Sequence, residues 1–233
     1  MPDAFDTIEH VVPTPFPESN VPNETQSFDL IVLGAGTGGY SAAFRAGQLG
    51  LKVALVDDSP HGIGGTCLHV GCIPTKAMLE SADLYDRIQH ADSFGIEVPT
   101  ATADPAAIAA RRDQIVVRLV KGLGSLVKKN KVEYVRGRGR LEGPTQVRVA
   151  TVDEEGNSGG EVILKASDVI LATGSRVKSL PGLEPDGDKI VTSDDILKST
   201  SVPESIIVVG AGAVGVEFAS YYHDLGSEVT VLE

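Results

Sequence analysis

The chain repeats one segment near its two ends, and this repeat constrains the fold more than any other feature. Residues 31–57 and 207–233 align without gaps, and ten of the 27 aligned positions are identical. Each copy runs from an apolar stretch through a glycine turn and a helical stretch to a second apolar stretch and an acidic residue. This order predicts a strand, a helix and a parallel strand in each copy, so we expect an α/β fold with a parallel sheet.

Three glycines stand at matching positions in the two copies and form the pattern G-x-G-x-x-G. The first glycine permits a tight turn, the second lets the backbone approach a pyrophosphate, and the third allows close contact between helix and strand. The amides at the helix N-terminus can then bind phosphate. Glycine turns in two ordinary crossovers are the alternative, but the flanking strands favour nucleotide binding. We predict two dinucleotide-binding turns, at Gly34, Gly36 and Gly39 and at Gly210, Gly212 and Gly215.

Each copy ends in a carboxylate, Asp57 in the first and Glu233 in the second, 23 residues after the first glycine of its turn. A carboxylate at this place can accept hydrogen bonds from the ribose hydroxyls of a dinucleotide. Because a carboxylate repels a 2′-phosphate, Glu233 favours NAD over NADP. Two such units imply two dinucleotides, which is typical of an enzyme that passes electrons between a flavin and a nicotinamide.

The only two cysteines, Cys67 and Cys72, lie in the string GGTCLHVGCIPTK at residues 64–76. Two thiols concentrated beside a nucleotide turn indicate a redox centre. Residues five apart on a regular helix lie about 8–9 Å apart, whereas the Cα atoms of a disulfide lie within about 7 Å. A bond between these cysteines therefore requires an irregular segment. Pro74 suits a first helical turn that places Cys72 near the helix N-terminus, where a thiolate is favoured.

Two other interpretations of this segment remain open. The cysteines could be buried, reduced and without a redox role. Alternatively, Cys67, His69 and Cys72 could bind a metal, but structural zinc requires four ligands and the chain has no further cysteine. We expect no metal site, and we interpret His69 as a loop residue.

Composition restricts the partners and the compartment. The net charge of −12 argues against nucleic acid as the main partner, and the sequence lacks an apolar run of about 18 residues that could span a membrane. Residues 1–27 are acidic and rich in proline. We predict a disordered tail there, either merely solvated or a docking arm. Because this segment has no features of a signal or transit peptide, we expect a cytoplasmic protein.

Between the two copies the sequence predicts further elements. We expect helices at residues 74–89 and 105–129, and a turn at residues 155–160. Short apolar runs predict strands at four places, namely residues 132–136, 146–152, 161–165 and 168–172.

Together these motifs resemble those of the pyridine nucleotide–disulfide oxidoreductases, and most closely the dihydrolipoamide dehydrogenase branch. The similarity covers residues 28–233 and rests on both glycine turns, the cysteine string and the sequence ILATGS at 170–175. It implies an FAD-binding Rossmann-like domain at residues 28–180, followed by the start of an inserted NAD-binding Rossmann-like domain at residues 181–233. Two residues depart from the family pattern, His69 where Asn is common and Asp57 where Glu is common.

The resemblance implies a role for each candidate residue. Cys67 would exchange with a dithiol substrate, and Cys72 would be the charge-transfer thiol beside the flavin ring. Lys76 would lie near the flavin and pair with Glu217, because a buried ammonium needs a partner; two separate surface charges are the alternative. FAD would be bound by Gly34, Gly36, Gly39, Asp57, Thr66, Lys76, Thr173 and Gly174, and NAD by Gly210, Gly212, Gly215 and Glu233.

The implied reaction is oxidation of dihydrolipoamide on the lipoyl domain of a 2-oxo acid dehydrogenase complex. Electrons would pass from the Cys67–Cys72 pair to FAD and then to NAD. Family members are considerably longer and act as homodimers, so we expect the chain as written to lack turnover by itself. The alternatives are a non-catalytic FAD-binding fragment or pseudoenzyme, and another member such as a mercuric or mycothiol-disulfide reductase.

Overall fold

The computed structural model describes residues 25–153 and 156–233. The described residues form two compact units, one from residues 25–69 and 117–176 and the other from residues 70–116 and 177–233. In the described part, none of the helices is long and apolar enough to cross a membrane. The elements in chain order are β1 (Thr25–Leu33), α1 (Thr37–Gln48), β2 (Val53–Asp57), α2 (Gly65–His69), α3 (Cys72–Gln89), a 3₁₀ turn (Ala91–Phe94), α4 (Pro105–Lys129), β3 (Glu133–Leu141), β4 (Gln146–Val152), β5 (Ser158–Leu171), α5 (Ser193–Ile196), β6 (Ser205–Val209), α6 (Ala213–Asp224) and β7 (Glu228–Leu232).

The first unit is a five-stranded sheet built around β1. Strand β1 pairs in parallel with β2 and with β5, and β2 pairs in parallel with β3. Strand β4 runs antiparallel to both β3 and β5, so the pairing closes into a ring. The predicted α/β class with a parallel-rich sheet is confirmed, and the antiparallel direction of β4 was not predicted from the sequence.

Both faces of β1 and β2 are buried, which explains their continuous apolar sequences. Alternate residues belong to two different clusters because successive side chains of a strand point to opposite faces. Leu30 and Val32 pack in a cluster with Phe44 of α1. Ile31 and Leu33 pack in the other cluster, with residues of the antiparallel strands. The carboxyl ends of β1 and β2 are thereby held firmly beside α1.

The second unit contains the parallel pair β6 and β7, in which Val209 lies opposite Leu232. Helix α6 contributes Phe218, Tyr221 and Tyr222 to a buried cluster that also contains Met78 and Ala82 of α3. Burial raises the pKa of Tyr221 to about 12. Helix α3 therefore shares a core with the second copy of the repeat, although it follows the first copy in sequence.

Several predicted elements are found within a few residues of their expected places. Helix α4 and strand β4 have the predicted bounds, and α3 begins two residues early, at Cys72. Strand β5 joins the two strands predicted at 161–165 and 168–172. It starts at Ser158, inside the predicted turn, and residue 155 of that turn lies outside the described residues.

The predicted tail and domain boundaries differ from the structure in two respects. Residues 1–24 of the tail lie outside the described residues, but residues 25–27 belong to β1, where Thr25 lies opposite Ile163 of β5. The end of the tail at residue 27 was therefore wrong. The compact units also divide the predicted domain at residues 28–180, because residues 70–116 group with the second unit.

Candidate functional site

The two predicted nucleotide turns have the same backbone geometry. The first glycine of each turn is left-handed, with φ of 97° at Gly34 and 107° at Gly210. A Cβ atom on Gly39 would overlap the carbonyl oxygen of Gly34, and a Cβ on Gly215 would overlap that of Gly210. Only glycine fits these third positions, because helix and strand meet there through their backbones.

Both helices that follow these turns begin without a capping side chain. Gly36 is the N-cap of α1 and Gly212 is the N-cap of α6, and neither helix has an acidic residue in its first turn. The first amides of each 12-residue helix therefore have no side-chain acceptor from a cap. Helix ends of this kind can bind the phosphates of a dinucleotide.

The two terminal carboxylates make the same hydrogen bond in both units. Asp57 Oδ1 accepts a hydrogen bond from the amide of Ala35 at 3.0 Å, and Glu233 Oε2 accepts one from the amide of Ala211 at 2.6 Å. Ala35 and Ala211 each follow the first glycine of a turn. The two carboxylates therefore stabilise the turns in this structure. Their binding to ribose hydroxyls stays a prediction.

Burial is the main influence on the ionisation of Asp57. It raises the pKa of this carboxyl above its ordinary value, while the hydrogen bonds from Ala35 and Ser59 act in the opposite direction. Burial, followed by the charge of Asp57, also raises the pKa of Tyr134. Arg136 is buried opposite Asp57 in the β2–β3 pair. The sequence analysis did not single out Tyr134 or Arg136, although the alternation of β3 places both on one face beside Asp57.

The segment that carries Cys67 lies directly against the first nucleotide turn. Gly65 has a φ of 61°, and a Cβ atom on it would lie 2.5 Å from the Cα atom of Gly36. Thr66 and Cys67 follow Gly65 in α2, where Thr66 is exposed and Cys67 is half-buried. Cys67 lies in a short helix, and the irregular backbone that a bond between the two cysteines requires is present at residues 70 and 71, which separate α2 from α3.

Cys72 is exposed and is the first residue of α3, with Gly71 as the N-cap. This agrees with the predicted position at a helix N-terminus, and Pro74 lies in the first turn as expected. Both cysteines carry thiols in this structure, so the disulfide between them stays a prediction. Among the described residues, no group of three or more His, Cys, Asp and Glu side chains is arranged to hold a metal ion.

His69 is not the loop residue that the sequence analysis expected. It is the last residue of α2, and its Nε2 atom donates a hydrogen bond to the carbonyl of Ile63 at 2.9 Å. Its ring lies 5.4 Å from the ring of His61, centroid to centroid. Burial lowers the pKa of His69 below its ordinary value of 6.5, and the neighbouring His61 charge acts in the same direction.

Residue Ala172, which follows β5, contacts the first nucleotide turn. Ala172 donates a backbone hydrogen bond to Leu33 at 2.7 Å, and its carbonyl lies where a Cβ atom of Gly34 would be. Thr173 and Gly174 follow, and both are exposed. These residues therefore lie at the carboxyl edge of the sheet, where ligands of open α/β folds bind.

In the second unit, Lys76 of α3 forms an ion pair and a hydrogen bond with Glu217 of α6. The predicted contact is present, but its rationale was wrong for this chain, because the Lys76 side chain is 57% exposed. Lys76 lines an open pocket together with Leu79, Asp83 and Asp224. Nearby, Arg111 Nη1 donates a hydrogen bond to the carbonyl of Ala77 in α3 at 2.7 Å.

Comparison with known proteins gives a consistent set of relatives. The sequence profile of the family described as pyridine nucleotide-disulphide oxidoreductase matches residues 28–233. A protein named dihydrolipoyl dehydrogenase from Bacillus subtilis is 45% identical over 209 residues, which covers 88% of this chain and 44% of that protein. One of the same name from Zymomonas mobilis is 47% identical, with 88% and 43% covered. A protein named leghemoglobin reductase from Vigna unguiculata is 45% identical, with 88% and 38% covered. The chain thus spans less than half the length of these relatives.

Proposed function

Because the chain belongs to the pyridine nucleotide-disulphide oxidoreductase family, we propose that it carries the flavin-binding and dithiol-exchanging part of a dihydrolipoamide dehydrogenase. The observation that carries the proposal is the contact between Gly65 and Gly36, since it brings the Cys67 segment against a nucleotide turn. A redox-active cysteine must lie beside its cofactor, and this contact supports that arrangement within one compact unit. The names of two of the relatives reported above indicate the substrate.

FAD fits the first unit because helix α1 follows the Gly34 turn, begins without a capping side chain and lies at the carboxyl edge of the sheet. Its binding residues in this unit would be Gly34, Gly36, Gly39, Asp57, Thr66, Thr173 and Gly174. NAD would use Gly210, Gly212, Gly215 and Glu233 around the uncapped helix α6. When bound, FAD supplies a two-electron acceptor for the cysteine pair.

The cysteines would act by thiol–disulfide exchange. A substrate thiolate attacks the sulfur of Cys67, which forms a mixed disulfide, breaks the Cys67–Cys72 bond and releases the Cys72 thiolate. The second substrate thiol, after losing its proton, attacks the substrate sulfur and releases Cys67 as lipoamide forms. The substrate loses two electrons and two protons, and the cysteine pair gains the two electrons. Cys72 is exposed at the N-terminus of α3.

Lys76 and Glu217 would act through charge. Their ion pair fixes the position of a positive charge on α3, and a cation near a flavin ring alters its electron affinity.

We further propose a cytoplasmic homodimer of the longer protein, with dihydrolipoamide presented on a lipoyl domain. A membrane or nucleic acid is not among the proposed partners, in keeping with the net charge of −12.

Anaerobic mixing of the FAD-loaded chain with dihydrolipoamide tests the proposed function. We expect the oxidised flavin absorbance to change at least about tenfold faster with dihydrolipoamide than with the same concentration of reduced glutathione, as substrate-specific exchange requires. The Cys67→Ser variant is the matched control and should not respond to either thiol, although dithionite should still reduce its flavin. An equal response to both thiols, or an unchanged response in Cys67→Ser, would contradict the proposal.

A further inference from the structure

The loop between β2 and α2 is joined to the first nucleotide turn by a series of hydrogen bonds within one compact unit. Asp57 Oδ1 accepts from the amide of Ala35 at 3.0 Å, and Asp57 Oδ2 accepts from the amide of Ser59 at 3.3 Å. The Ser59 hydroxyl oxygen in turn accepts from the amide of His61 at 3.3 Å. This series leads from the nucleotide turn to the backbone of His61.

A second series returns from His61 to the same turn. The His61 ring lies beside the His69 ring, whose Nε2 atom donates to the carbonyl of Ile63 at 2.9 Å. The next amide, that of Gly64, donates to the carbonyl of Ala35 at 2.9 Å. Ala35 is therefore hydrogen-bonded through both its amide and its carbonyl. Of the residues in these two series, His69 alone belongs to α2.

The backbone around the hydrogen bond between His69 and Ile63 is closely packed. Gly64 has a φ of 135°, and a Cβ atom on it would lie 2.9 Å from His69 Nε2 and 2.8 Å from Leu68 Cβ. Ile63 is fully buried. The Ile63 carbonyl and the His69 ring are thus held together in a tight and largely dry space, where removing a donor is costly.

We propose that His69 is a positioning residue whose hydrogen bond to the Ile63 carbonyl fixes α2, and with it Cys67, against the nucleotide turn. The proposal rests on the proposed function in one respect, namely that Cys67 is the thiol that meets the substrate. His69 lies outside the exchanging pair, and we assign the contact between the His61 and His69 rings to the same positioning role. Burial lowers the pKa of this ring, whereas its hydrogen bond to Ile63 acts in the opposite direction.

The first test measures the reactivity of Cys67 without any cofactor. In a Cys72→Ser background only Cys67 can be alkylated, so the rate of its reaction with iodoacetamide reports on how well α2 is held. We expect His69→Ala to raise this rate about fivefold, because loss of one hydrogen bond eases local opening. His69→Gln retains an N–H donor and should stay within about twofold of the parent. Equal rates for His69→Ala and His69→Gln would overturn the proposal.

A second measurement uses pH and applies even if His69→Ala does not fold. Since folding lowers the pKa of His69 below 6.5, the ring stabilises the fold above this pH, and that contribution is lost as the pH falls through the folded pKa. His61 is the titratable neighbour that opposes protonation of His69. The stability of the parent relative to His69→Gln should therefore fall as the pH drops below 6.5, because glutamine does not titrate. A pH-independent difference would contradict the burial of the His69 ring against the Ile63 carbonyl, on which the proposal depends.

A third measurement separates this proposal from the proposed function. In the FAD-loaded chain, His69→Ala should slow the spectral response to dihydrolipoamide about fivefold while retaining its flavin. If the parent chain responds but His69→Ala responds at the same rate, the positioning role fails and the proposed function stands. If the parent does not respond but the alkylation rates differ as expected, the proposed function fails and the positioning role of His69 stands.

Discussion

The Gly39→Ala variant is expected to lose about 3 kcal/mol or more of its free energy of unfolding, a large share of the stability of a domain. The added Cβ atom would overlap the Gly34 carbonyl, and neither backbone can rotate away as a flexible side chain could. Helix α1 would have to move off β1. Urea denaturation followed by circular dichroism measures the effect.

Gly38 provides the matched control for this prediction. It is the neighbouring residue in α1, and a Cβ atom on it would meet nothing within 4 Å. Gly38→Ala should therefore leave stability unchanged or raise it by up to about 1 kcal/mol, since alanine favours a helix. Similar losses of stability in the two variants would show that helix–strand contact at Gly39 is not as close as described.

Single replacements of the cysteines are expected to give opposite absorption spectra in the FAD-loaded chain. In Cys67→Ser the remaining Cys72 thiolate has no disulfide partner, so a long-wavelength charge-transfer band should be present without any reductant. In Cys72→Ser no such band should form, even after addition of two electrons. These expectations follow from the assignment of Cys72 as the thiol beside the flavin, supported by its place at the N-terminus of α3.

Spectra of both variants, recorded before and after reduction with dithionite, complete this test. A band in Cys72→Ser and none in Cys67→Ser would reverse the two roles. Absence of a band in both flavin-containing variants would contradict the placement of either thiol beside the ring.

Local sequence patterns predicted those features that depend on a few neighbouring residues. Both glycine turns follow from their spacing, because φ above zero and the backbone contact at the third position leave only glycine. The bounds of α4 follow from its long apolar period. The family resemblance inferred from these motifs is confirmed by the match over residues 28–233.

Features that depend on distant partners were not predictable in the same way. Residues 25–27 were assigned to the tail because their sequence is polar, yet they pair with β5, as in the Thr25–Ile163 register. Residues 166–167 separated two predicted strands, but Ala166 lies opposite Phe28 and β5 continues through both residues. Tertiary pairing outweighs local preference in such strands.

The site shows the same division between local and distant information. Asp57 was identified from its spacing, but its bond to Ala35 and its proximity to Tyr134 depend on the folded sheet. The hydrogen bond of His69 was not predicted, because its acceptor is a backbone carbonyl, which leaves no signal in the sequence. A backbone acceptor can be supplied by any residue type, so only the structure reveals it.

The most direct test of the account is whether the chain retains FAD through its first nucleotide turn. After incubation with FAD and desalting, the absorption spectrum of the parent chain should show bound oxidised flavin. Gly36→Asp should fold but elute colourless, because its added Cβ meets only the Gly65 Cα, at 3.8 Å, and its carboxylate repels the pyrophosphate. Gly212→Asp, at the matching position of the second unit, should retain the flavin. A folded parent chain that elutes without flavin, or equal retention by Gly36→Asp, would contradict the account.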